Sequence, residues 1–111
     1  MEGVVSARLV PFRDLDKCVK GESVRLTGIW KKYDQDTQMA VMRYDTYEAE
    51  VDTALLSTLP AIGDIVQCIG EVIDEATFGM LRIQARIVRI VNTIELDLYE
   101  RVVRLRNAST G

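Results

Sequence analysis

A small all-β barrel followed by one terminal helix is the fold class this 111-residue chain predicts. Three observations predict it. Apolar and polar residues alternate in short segments set apart by turn residues, which is the period of half-buried strands. Gly28 and Gly70 sit inside such segments, where a missing side chain permits a bend or bulge. The C-terminal stretch then changes to helical spacing.

Taken in order, residues 1–20 read as an extended arm with a short helical turn, because Pro11 interrupts and Phe12, Leu15 and Cys18 then recur at helical spacing. Residues 22–33 alternate, with Val24 and Leu26 on one side and Arg25 and Thr27 on the other, until Gly28 breaks the pattern. After a turn at Asp34-Gln35-Asp36, residues 37–44 form a second strand with Met39 and Val41 expected inward. Asp45-Thr46 turns into a third strand over 47–51. Residues 52–59 open with Asp52 as a possible N-cap and read as one or two helical turns ended by Pro60. Gly63-Asp64 is a turn, 65–73 a fourth strand with Gly70 allowing a bend, and 74–79 a polar loop. Residues 80–90 are the clearest strand: Leu81, Ile83, Ala85 and Ile87 alternate with Arg82, Gln84 and Arg86, then the phase slips at Val88 to Ile90, as a bulge would cause. Residues 92–106 form a helix. Asn92 and Glu95 suggest a cap, Glu95 and Asp97 lie in the first turns, and Arg101, Arg104 and Arg106 lie in the last, as the helix dipole prefers. Residues 107–111 read as a loose end.

Five coiled strands with a short helix between the third and fourth, and a closing helix, match the five-stranded Greek-key barrel called the OB-fold. No repeat or linker divides the chain, so a single OB-fold domain over 1–111 is expected: an arm over 1–20, the barrel over 22–90 and the helix over 92–106.

Composition narrows the function. Apolar residues make up 48%, too many for a disordered tail, and a formal net charge of -3 excludes a protein that grips polyanions by charge alone. There is no histidine, which removes the commonest general base and metal ligand. Cys18 and Cys68 stand too far apart for a CxxC motif and read as buried thiols; no metal or other cofactor is expected. No acid/base pair, GxSxG, HExxH or phosphate-binding loop is present, so catalysis and a small-molecule substrate are not expected. The longest apolar run, Met39 to Met42, is far too short for a membrane span, and the N-terminus lacks a signal pattern, pointing to an intracellular protein.

The terminal helix carries the most functional information. Ile94, Leu98, Val102 and Leu105 form one apolar stripe, and Leu96, Tyr99 and Val103 form a second beside it. A helix lying on a small barrel needs one stripe. Each large aliphatic left in water forgoes about 1.5–3 kcal/mol of burial, so the surplus points to a partner surface. The alternative is that the helix tucks into the open barrel end and buries both stripes.

The segments Val24-Arg25-Leu26-Thr27-Gly28-Ile29-Trp30, Val66-Gln67-Cys68-Ile69-Gly70-Glu71-Val72 and Leu96-Asp97-Leu98-Tyr99-Glu100-Arg101-Val102-Val103 resemble the smallest subunits of telomere-capping CST complexes. They are more distantly similar to the small subunit of replication protein A. The resemblance spans about residues 8–106. It implies a nuclear protein at chromosome ends that forms a heterodimer with a larger OB-fold subunit through the closing helix. That pair would associate with a large single-strand-binding protein. Transferred to this chain, Leu98, Tyr99, Val102, Val103 and Arg106 would be interface residues. The replication protein A resemblance implies instead general DNA replication and repair. A purely structural dimerisation module without DNA contact is a further alternative.

Charge is unevenly spread. Residues 34–75 hold ten acids against one base, Arg43, while the remainder holds seven acids and thirteen bases. If the first and fifth barrel strands lie close, Arg25, Lys31 and Lys32 would join Arg82, Arg86 and Arg89 in a basic strip for single-stranded DNA. Tyr33 and Tyr44 lie beside it in sequence as stacking faces. The bland alternative is a solvated face on which arginines point outward because strands alternate. Trp30 is either a stacking platform or, more commonly, a core or partner-facing residue. With net negative charge, DNA contact is expected within an assembly and weakly or not at all for the lone chain.

Overall fold

The computed structural model describes residues 7–75 and 80–110, with side chains through residue 107. Val4 and Val5 of the expected arm, and most of the polar loop after residue 75, lie outside the described residues. Strands β1 (Arg8–Leu9), β2 (Ser23–Asp34), β3 (Met39–Tyr44), β4 (Tyr47–Asp52), β5 (Ile65–Asp74) and β6 (Leu81–Ile90) form one sheet in the order β1-β2-β3-β4-β6-β5. A β2–β5 pairing closes it into a five-stranded barrel, the OB-fold, with β1 added parallel to β2. A 3-10 helix, Phe12–Lys17, and helix α1, Leu96–Thr110, complete the chain.

The long strand β2 serves two neighbours. Its residues 23–29 pair with β5, and from Ile29 onward it pairs with β3 past a bulge between Trp30 and Lys32. Gly28 lies where the two pairings meet. A Cβ there would sit 2.6 Å from Cε2 of Phe12 and 2.9 Å from the Arg43 carbonyl oxygen. The missing side chain therefore admits the Phe12 ring to the barrel end as well as easing a bend. At Gly70 an added Cβ would run into the Gln84 carbonyl oxygen, and the β5–β6 register shifts at that point.

Val24, Leu26, Trp30, Met42, Val66 and Ile83 fill the barrel interior, with Phe12 and Leu15 of the 3-10 helix plugging one end. Both cysteines are buried free thiols, and burial pushes the Cys68 thiol up to about 12.

Four details correct the sequence reading. On β3 it is Ala40 and Met42 that enter the central core; Val41 is buried outside it and Met39 is half-buried. Four consecutive apolar residues carry no phase, and the β2 bulge and the left-handed turn residue Gln38 set it. Residues 52–59 form no helix between β4 and β5. Asp52 closes β4, its Oδ1 accepts the Ala54 N–H at 2.9 Å, and one backbone bond from Leu56 to Thr53 completes a single turn. With Pro60 close by, the segment is too short to repay helix nucleation. On β6 the phase slip comes after Ala85, so Ile87 points outward instead of continuing the buried row. Finally, α1 begins later than expected and runs through Thr110, so residues 107–110 are helical and Arg101, Arg104 and Arg106 lie within the helix body; its last turn holds no basic residue.

Candidate partner face on the terminal helix

The start of α1 is built from two tethers. Asn92 does not cap the helix: its Oδ1 accepts the Ile65 N–H at 2.6 Å and its Nδ2 donates to Asp64 at 3.0 Å, pinning the linker to the start of β5. The Glu95 carbonyl accepts the Tyr99 N–H at 3.0 Å, so the helix proper begins there. Asp97 in the first turn accepts the Tyr44 hydroxyl at 2.8 Å; that bond holds the phenol up to about 12.

The face of α1 turned to the barrel is largely polar. Tyr99 lies 3.5 Å from Gln67, and Asn107 donates to the Leu9 carbonyl at 3.1 Å. Glu100 is buried. Burial pushes its carboxyl above the ordinary carboxylate range, against the pull of the Phe12 and Arg13 backbone N–H groups and of Arg104 one turn on. Those two N–H groups open the 3-10 helix, whose N-cap Pro11 offers no side-chain acceptor. Of the aliphatic side chains on this face only Val103 is fully enclosed, at 3% exposure.

The opposite face is apolar. At roughly 100° per residue, Leu98, Val102 and Leu105 project away from Val103, and they are 51%, 53% and 65% exposed. The first stripe is thus turned to solvent while Val103 of the second is turned to the barrel, and Ile94 precedes the helix. Three large aliphatics in water each forgo about 1.5–3 kcal/mol of burial. This arrangement rules out a helix whose stripes are both internal.

The expected interface residues separate accordingly. Leu98, Val102 and Arg106 are exposed, whereas Tyr99 is half-buried and Val103 faces the chain's own barrel, so Val103 offers no surface to another molecule. Leu105 belongs to the exposed face, and Glu100 and Arg104 to the buried one. The stripe periodicity contained Leu105; a carboxylate at Glu100 gave no sign that it would be enclosed.

The expected basic strip is broken up. Strand β5 lies between β2 and β6, so Arg25, Lys31 and Lys32 do not meet Arg86 and Arg89. Lys31 pairs with Glu48, Arg82 with Glu50 at 3.0 Å and Arg86 with Glu71 at 2.7 Å. Lys31 holds the Glu48 carboxyl below its ordinary range. Lys32 shares an outer cross-strand row with Val41, Glu50 and Arg82 and stays exposed. Arg25 is half-buried, with a guanidinium contact to the Ala7 carbonyl at 3.4 Å. The Tyr44 ring leans on Phe12 with centroids 6.4 Å apart. Trp30 is fully buried and is no stacking platform. Among the described residues no group of three or more His, Cys, Asp or Glu could hold a metal ion, and no helix is long and apolar enough to cross a membrane.

This architecture has close counterparts. The chain is similar to a chain of the S. pombe Stn1–Ten1 complex (TM-score 0.76, 18% identity, 96% of each chain covered). It is similar to the telomere-capping protein Ten1 of S. pombe (TM-score 0.75, 17% identity, covering 93% of this chain and 99% of that one). It is also similar to a chain of U. maydis replication protein A solved with single-stranded DNA (TM-score 0.67, 25% identity, covering 92% and 90%). No curated protein sequence matches it. The family model for the telomere-capping CST complex subunit matches residues 5–109. With nearly its whole length matched, the chain belongs to that family of telomere-capping CST complex subunits.

Proposed function

We propose that this chain is the small OB-fold subunit of a telomeric single-stranded-DNA-binding assembly, and that α1 docks a larger OB-fold subunit of the Stn1 kind. One observation carries the reading: Leu98, Val102 and Leu105 stand exposed on the helix face opposite the one held by the barrel. An S. pombe chain of the same fold comes from a Stn1–Ten1 complex, which supports a partner of that type. Arg106 lies at the edge of the stripe. Docking covers the aliphatics, stabilises the larger subunit and places the pair at chromosome ends in the nucleus; no catalysis is involved.

DNA contact belongs to the assembly. Lys31, Arg82 and Arg86 are engaged by carboxylates on their own barrel. A phosphate would have to displace those partners, so the lone chain binds weakly and loses that affinity with salt. Leu98→Glu or Val102→Glu abolishes co-purification with the larger subunit while circular dichroism reports an intact barrel. Undiminished complex yield refutes the docking role. The likeness to U. maydis replication protein A favours a second reading, general replication and repair. Mass spectrometry of the proteins that co-purify from cells separates the two.

A further inference from the structure

A polar pocket of about 220 Å³ lies where three elements converge, and it shares no residue with the exposed stripe of α1. The 3-10 helix brings Arg13, the hairpin of β3 and β4 brings Tyr44, Asp45 and Tyr47, and α1 brings Glu100 and Arg104. The space is smaller than the roughly 300–1,000 Å³ of a cleft for a drug-sized molecule. Tyr44 is already committed, its hydroxyl to Asp97 and its ring to Phe12. Tyr47 is 40% exposed, and among the described residues its side chain has no hydrogen bond or ring contact.

The charges of the pocket are uncommitted. Among the described residues neither Arg13 nor Arg104 has a carboxylate at ion-pair distance, which sets them apart from Lys31, Arg82 and Arg86. Arg104 Nε is enclosed without a hydrogen-bond partner, and so is Oε1 of Glu100, a residue only 4% exposed. Enclosed polar atoms are nearly always partnered, so two orphans on residues lining one pocket mark a place for a ligand's own polar groups. The exposed Asp45 carboxylate also accepts no hydrogen bond among the described residues.

We propose that this pocket seats one nucleotide of a single DNA strand, with a base that carries an exocyclic amine. The phosphate lies against the guanidinium groups of Arg13 and Arg104, whose planar forks match phosphate oxygens. The base stacks on the Tyr47 ring, and its amine donates to a carboxylate, Asp45 or Glu100. A bare anion suits the pocket poorly, because those two carboxylates line the same space. The inference rests on the reading that the assembly contacts a single strand, and it places one such contact on this chain.

The test uses the full chain, labelled with ¹⁵N, titrated with deoxycytidine monophosphate, deoxyuridine monophosphate and inorganic phosphate. The cytidine nucleotide shifts the amide resonances of Arg13, Asp45 and Tyr47, and the uridine nucleotide and phosphate bind weaker by about fivefold or more. Arg13→Ala and Tyr47→Ala, both at exposed positions, each weaken the cytidine nucleotide by a similar factor with circular dichroism unchanged, while Tyr47→Phe keeps the ring and the affinity. Equal binding of the two nucleotides, equal binding of phosphate, or no shift at these residues overturns the pocket even where the assembly binds a single strand. An assembly that binds no strand at all overturns the underlying reading and the pocket's part in it.

Discussion

Inside the barrel, Leu26, Trp30, Met42 and Ile83 meet with almost no accessible surface, whereas α1 turns Tyr99, Glu100 and Asn107 to that same barrel and leaves Leu98, Val102 and Leu105 in solvent. The barrel is held by apolar burial. The helix is held by hydrogen bonds to Tyr44 and Leu9 and by the Glu100 carboxyl, which accepts from the first N–H groups of the 3-10 helix. A helix with both kinds of face would ordinarily bury the greasier one. This one does the reverse, and the polar contacts fix the direction in which the aliphatic face points, which is the feature the proposed docking role rests on.

This contrast can be broken from either side. Trp30→Ala empties the largest fully buried side chain and should cost roughly 3–5 kcal/mol in urea unfolding. A loss under about 1 kcal/mol would mean that the barrel is not held as described. Glu100→Ala should cost about 1–2 kcal/mol by leaving the first N–H groups of the 3-10 helix without an acceptor, with the fully apolar barrel layers unaffected in hydrogen exchange.

Glu100→Gln sharpens the comparison. With its folded pKa raised, Glu100 binds protons in the folded state at pH values where the unfolded chain has lost them. Its contribution to stability therefore falls as pH rises from about 4.3 through the folded value. The glutamine variant keeps an acceptor without the buried charge. It should match or exceed the wild type at neutral pH and lose that part of the pH slope; an unchanged slope would show that Glu100 is not the group responsible. The smallest effect is expected at Arg82→Glu, where a half-buried ion pair with Glu50 is replaced by a like-charge contact. Stability should change by no more than about 1 kcal/mol, and salt-titrated DNA binding of the lone chain should barely move while that of the assembly weakens.

Much of this was legible in the chain because periodicity reports which face is buried. The alternation in 80–90 and the glycine breaks at Gly28 and Gly70 prefigured strands, bulges and closure. The two stripes after residue 92 prefigured a helix with more apolar surface than its barrel needs. What stayed hidden depends on contacts distant in sequence. Met39 to Met42 are apolar throughout, so only pairing with β2 and β4 chooses Ala40 and Met42 for the core. Asn92 looked like a cap, yet Asp64 and Ile65 claim its side chain. Lys31, Arg82 and Arg86 looked like a strip because their carboxylate partners lie on other strands. Periodicity also could not say which stripe faces inward, since Glu100 and Asn107 make that choice through Phe12, Arg13 and Leu9.

Calorimetric titration of the larger OB-fold subunit with the wild type and with Val102→Glu, beside urea unfolding of both, bears most directly on the exposed helix face. Binding should weaken by about 2–4 kcal/mol with the unfolding midpoint unchanged. Equal affinity for the two proteins would contradict the assignment of α1 as the docking element.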